Sequence, residues 1–160
     1  MSLEGNFLPI IKNKPQGADT SFSLASKQVL REVSEKFAIS DESLLRLYGI
    51  FGSTFERALE LHELERVKKI CVKSEPGNSA NDARWLLQVT GISGEIYTLF
   101  PEVNFCSCAS FRYRVLNDQA EHTCKHILAA WLSSVDNKKL SVQEIASPLF
   151  RDLMRFQVTF

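Results

Sequence analysis

Cys106-Ser107-Cys108, a spacer of fifteen residues and Cys124-Lys125-His126 together restrict this 160-residue chain more than any other feature. Zinc in closed structural sites takes four ligands from thiolate sulfur and imidazole nitrogen, and this set offers three sulfurs and one ring nitrogen. If all four serve one ion, two stretches separated by the spacer must meet in space, and any fold has to bring them there. On a strand, residues i and i+2 project to the same side, so Cys106 and Cys108 can aim both thiolates at a common point. On a regular helix the same pair would stand about 200° apart. The spacing therefore predicts a short strand over residues 103–108, Cys124 at a turn, and His126 in the first turn of the helix that follows. His122 lies two residues before Cys124 and is a rival ligand by spacing. His126 is favoured because it heads an amphipathic helix. Cys71 sits inside an apolar run with no partner near it in sequence and reads as a small buried hydrophobe.

A disulfide between Cys106 and Cys108 would close a very small, strained ring. The compartment also argues for metal. Met1-Ser2-Leu3-Glu4-Gly5 carries an acid and no basic n-region, so no secretory signal is expected and the chain is placed in the cytosol or nucleus, where thiols stay reduced. The longest apolar runs, such as Ile70-Cys71-Val72, fall far short of the roughly 20 residues of a membrane-spanning helix. Hydrophobic residues make up 44% and charged residues 24%, the balance of one globular domain. Nineteen Lys+Arg against nineteen Asp+Glu leave no net charge, which argues against a module that holds nucleic acid chiefly by neutralising phosphates.

Residues 1–20 hold Gly5, Pro9, Pro15 and Gly17 and read as a flexible leader. A helical region over 21–65 follows. Val29, Leu30, Val33 and Phe37 recur at helical spacing; Ser40 then caps a helix whose buried face is expected at Leu44, Leu45, Tyr48 and Phe51. Gly52 breaks the pattern, and Ser53-Thr54-Phe55-Glu56 is a capping box that restarts it through Phe55, Ala58, Leu59 and His62. His62 reads as a surface or satisfied core histidine. The period changes after residue 65. β-Branched and aromatic runs at 67–72, 84–89 and 95–100, separated by turn-rich segments around Pro76-Gly77 and Gly91–Gly94, predict an antiparallel β-meander that leads into the cysteine pair. The meander and finger together span 66–135, the finger itself about 104–130. A helix begins near Cys124 and buries Ile127, Leu128, Trp131, Leu132 and Val135. Ser141-Val142-Gln143-Glu144 reads as a capping box opening a C-terminal helix within 136–160, kinked or divided by Pro148. The fold class is α+β.

Three thiolates and an imidazole fill a tetrahedron and leave no position for substrate or activated water. Together with the lack of a Gly-rich phosphate loop, this predicts a chain that is not an enzyme. In the spacer, Arg112 and Arg114 are offset by Asp118 and Glu121, and they alternate with Phe111 and Tyr113 as surface arginines beside a buried aromatic partner.

Cys-x-Cys, a variable spacer and Cys-x-His resemble the SWIM zinc finger, a short ββα zinc-binding unit. Cys124-Lys125-His126-Ile127-Leu128-Ala129, with a small residue three positions after the histidine, is similar to one branch: the SWIM-domain subunit of the Shu complex, of the zinc finger SWIM domain-containing protein seven type. The resemblance covers roughly residues 24–156, with Ile39–Leu45, Phe51-Gly52-Ser53 and Ala58–Leu61 matching its helical N-terminal part and Leu140-Ser141-Val142 its C-terminal helix. It implies that Cys106, Cys108, Cys124 and His126 hold one structural Zn2+ and that Ala129 allows close packing behind the site. It further implies a nuclear, non-enzymatic adaptor that pairs with a RecA-like recombinase paralogue and promotes recombinase filament assembly or stability in homologous recombination repair. Single-stranded DNA would be reached through the complex. Leu149, Phe150, Leu153, Met154 and Phe156 are candidates for the partner surface, or for docking on the chain's own sheet. Two other readings stand beside this one: a SWIM module of another kind that binds DNA or protein directly, and a metal-dependent hydrolase with His122 or His126 loosely bound.

Overall fold

The computed structural model describes residues 28–33, 39–73, 84–101 and 103–158. The leader over 1–20, most of the first predicted helix and the turn around Pro76-Gly77 lie outside them. Residues 28–33 are helical and bury Val29, Leu30 and Val33, the stripe read from spacing. Helix α1, Asp41–Phe51, is capped by Ser40, whose hydroxyl accepts from the Ser43 amide at 3.2 Å, with Asp41 and Glu42 near the positive end of the helix dipole.

The buried face of α1 is turned from the expected one. Leu45 is 72% and Tyr48 48% exposed, while Ser43 and Leu47 are buried and Leu44, Ile50 and Phe51 pack partly against the core. The stripe 43-44-47-50-51 has the same helical period as the predicted one but includes a serine. Ser43 tolerates burial because its hydroxyl is satisfied locally, 2.9 Å from Ser40 Oγ.

Gly52 turns the chain into α2, Ser53–Glu63, with φ 53° and ψ −136°. Gly52 itself is the capping residue and no side chain caps α2, so the capping box expected at Ser53 does not form. The amides of Phe55 and Glu56 bond to the Gly52 carbonyl instead. A Cβ on Gly52 would meet no atom within 4 Å, so Gly52→Ala isolates the backbone cost. The expected loss is about 1–3 kcal/mol. Gly49→Ala, inside α1 and equally open, should stabilise by up to about 1 kcal/mol. Urea unfolding of the pair checks the contrast.

Strands β1 (Val67–Val72), β2 (Trp85–Thr90) and β3 (Ile96–Leu99) form the antiparallel meander. A fourth strand extends it: β4, Ser141–Ile145, pairs parallel with β1, giving a mixed sheet ordered β3-β2-β1-β4. The capping box read at Ser141 is therefore a strand. Val142 and Ile145 are β-branched, and the open edge of β1 supplies the ladder a five-residue segment cannot provide for itself. The final helix, α4 (Ser147–Val158), begins only afterwards. Pro148 lies in its first turn, where a missing amide hydrogen costs no helical bond, so it starts the helix and does not kink it.

The other predicted strand, over 103–108, is absent. Pro101, just past β3, cannot donate to a ladder, and the chain turns there with the Val103 amide on the Phe100 carbonyl.

One sheet face, with Val67, Leu87, Val89 and Leu99, packs under α2 and α3 (Lys125–Val135); the other, with Ile70, Leu86 and Ile145, is covered by Phe150 and Leu153 of α4. Of the C-terminal apolar residues, Phe150 and Leu153 thus dock on the chain's own sheet, whereas Leu149 is 54% exposed and Met154 is exposed. Phe156 lies outside the described side chains. No helix among the described residues is long and apolar enough to cross a membrane.

Buried His62 ties α2 to the far end of α3. Its Nδ1 is 2.9 Å from Ser133 Oγ and its Nε2 3.6 Å from Asp136. Burial holds its pKa below the ordinary value, and Lys139 acts in the same direction; Asp136 and Glu63 act against it. The unfolded chain therefore takes up the proton first. Protonation of His62 contributes nothing well above pH 6.5 and lowers stability as pH falls through 6.5 toward the folded value. Between pH 7.5 and 5.5 the parent should lose more stability than His62→Gln, a difference that paired denaturant titrations would read.

Candidate metal centre

Cys106, Cys108, Cys124 and His126 converge. All four are buried, and their ligand atoms lie within 4.8 Å of one another. Cys124 is the residue before α3, in extended conformation, and His126 stands in the first turn, as the spacing requires. Cys106 and Cys108 meet the same centre without the predicted strand, from an irregular segment. His122 and Cys71 are not part of the group. Cys71 is half-buried on β1, and burial pushes its thiol up.

The spacing of the donors suits a tetrahedral ion. Zinc–sulfur bonds near 2.3 Å and zinc–nitrogen bonds near 2.0–2.1 Å place sulfur and nitrogen about 3.6 Å apart across a tetrahedron. Cys106 Sγ and His126 Nδ1 stand 3.6 Å apart.

The three buried thiols perturb one another. Hydrogen bonds from Cys106, then Cys124, hold the Cys108 thiol far below its ordinary pKa; the same contact with Cys108 pushes Cys106 up to about 12. Burial pushes Cys124 well up. Thiolate is the form that binds a cation, and binding displaces the thiol protons. The Phe111 amide adds a donor, 3.3 Å from Cys108 Sγ. Phe111 opens a π-helical segment, Phe111–Asn117, in the spacer. Phe111 is buried as expected, but Tyr113 is 57% exposed, and Arg114 pairs with Glu121 at 2.8 Å.

Three supports were not read from sequence. Tyr97 of β3 stacks on the His126 ring, with centroids 4.0 Å apart and planes at 24°. Asn104 and Thr123 hydrogen-bond to each other at 3.1 Å. Their proximity to the two ligand pairs was the available signal; nothing local announces Tyr97. Ala129 is fully buried one turn after His126.

No protein-family model matches the chain. Individual relatives do. Zinc finger SWIM domain-containing protein 7 of Homo sapiens is 36% identical over 103 residues, which cover 64% of this chain and 68% of that protein. The Danio rerio protein of the same name is 36% identical over 107 residues, 67% of this chain and 71% of its own length. The chain belongs to the zinc finger SWIM domain-containing protein 7 family. The Mus musculus member is 37% identical over 103 residues, and the match spans 62% of its length, less than two thirds. The relatives are zinc finger proteins by name, and the buried group of Cys106, Cys108, Cys124 and His126 could hold a metal ion.

Proposed function

We propose that this chain is a zinc-binding adaptor of a Shu-type complex, without catalytic activity of its own. In this reading one structural zinc ion is held by Cys106, Cys108, Cys124 and His126. The adaptor pairs in the nucleus with a RecA-like recombinase paralogue and promotes assembly or stability of recombinase filaments during homologous recombination repair. DNA is reached through the complex.

The observation that carries the reading is the closed donor set in a SWIM domain-containing protein 7 relative. Three sulfurs and one nitrogen, all buried, complete a tetrahedral shell and suit scaffolding better than activation of a water molecule. The balanced charge supports a subunit whose DNA contact is shared. Affinity purification from nuclei tests it directly: recovery of a RecA-like paralogue is the expected result. Its absence, combined with a steep salt-dependent affinity of the isolated chain for DNA, would replace the adaptor by a module that binds DNA itself.

A further inference from the structure

Asn104 stands two residues before the first ligand pair, and Thr123 immediately precedes the second. The Asn104 side chain spans the gap between them. Its Nδ2 donates to the His122 carbonyl at 3.0 Å, and its Oδ1 accepts from the Thr123 hydroxyl at 3.1 Å. The amide orientation follows from chemistry: the His122 carbonyl oxygen can only accept, so the NH2 group faces it and the oxygen is left for the hydroxyl. Thr123 is 1% exposed, so these bonds form where water competes poorly.

Residues 103–107 belong to no helix or strand. Cys106 and Cys108 therefore depend on tertiary contacts for their placement relative to Cys124 and His126. We infer that Asn104 and Thr123 form a positioning clamp that sets the two halves of the metal site at binding distance, so that the ion meets donors already gathered within 4.8 Å of one another. The inference rests on the zinc reading above. The clamp touches no donor atom in the bonds described. It acts on the backbone that carries the donors, as outer-shell hydrogen bonds do when they fix ligand orientation.

A clamp that shapes the site should change metal affinity and geometry, and a clamp that only steadies the fold should change unfolding alone. The test is zinc affinity by chelator competition and the visible absorption of the Co2+-substituted protein, on the full chain, for the parent, Asn104→Ala, Asn104→Asp, Thr123→Val and Thr123→Ser. Asn104→Asp keeps an acceptor for Thr123 but loses the donor to His122. Thr123→Ser keeps the hydroxyl. Expected are zinc affinities lowered about 10- to 100-fold in Asn104→Ala and Thr123→Val, an altered Co2+ spectrum, an intermediate loss in Asn104→Asp and recovery in Thr123→Ser. Parent-like affinity and spectra in the first two variants, or equal losses in Thr123→Ser and Thr123→Val, would overturn the clamp and leave the zinc site standing. Should Asn104→Ala or Thr123→Val fail to fold, Asn104→Asp and Thr123→Ser decide: indistinguishable affinities overturn the clamp. A parent that binds neither metal overturns the zinc reading, and the clamp with it.

Discussion

Cys124→Ser should purify with almost no bound zinc and with the finger and its following helix disordered. Cys124 is fully buried at the head of α3, so the variant loses a donor in a place where no water can readily replace it. Structural zinc in finger peptides contributes about 10–16 kcal/mol at neutral pH, and that binding energy is folding energy. A domain of ordinary stability holds only about 5–15 kcal/mol in total. The damage should spread, because α3 packs on both α2 and the sheet. Zinc content by metal analysis and the far-ultraviolet circular dichroism melt read the two effects. Cys71→Ser is the internal control, with zinc content unchanged, since Cys71 is outside the cluster. A Cys124→Ser protein that retains one zinc per chain and the parent's melt would contradict the assignment.

Trp131→Ala tests the same helix from its packed side. Trp131 is fully buried, at 0% accessibility, and is the largest wholly buried side chain among the described residues. Truncation removes the transfer energy of the indole and leaves a cavity, together about 3–5 kcal/mol. For a chain of this size that corresponds to a fall in melting temperature of roughly 6–20 °C. Leu149→Ala, on the exposed side of α4, should stay within about 0.5 kcal/mol of the parent. A loss below about 1 kcal/mol for Trp131→Ala would mean that α3 is not the centre of the core.

Local signals carried some elements well. Ser40, with two acids behind it, caps α1; Gly52 makes the corner; and the apolar spacing after Cys124 makes α3. In each case the decisive interaction lies within a few residues. The misreadings share the opposite property. Ser-x-x-Glu at 141–144 satisfies a capping pattern, but the segment becomes a strand because the edge of β1 is available to it. The buried face of α1 departs from the expected one because a serine with a local hydrogen bond takes a place in the buried stripe, leaving Leu45 and Tyr48 exposed.

The metal centre divides along the same line. The residue types and the spacing of the two pairs narrow the donors to Cys106, Cys108, Cys124 and a histidine, with His126 favoured over His122 because it heads a helix; the structure gathers His126 and leaves His122 out. Only the tertiary structure decides how an irregular segment without a strand brings Cys106 and Cys108 to that point, that Tyr97 stacks on His126, and that Asn104 bridges to the His122 carbonyl and the Thr123 hydroxyl. Those contacts join residues far apart in the chain, and their geometry depends on the packed core that brings them together.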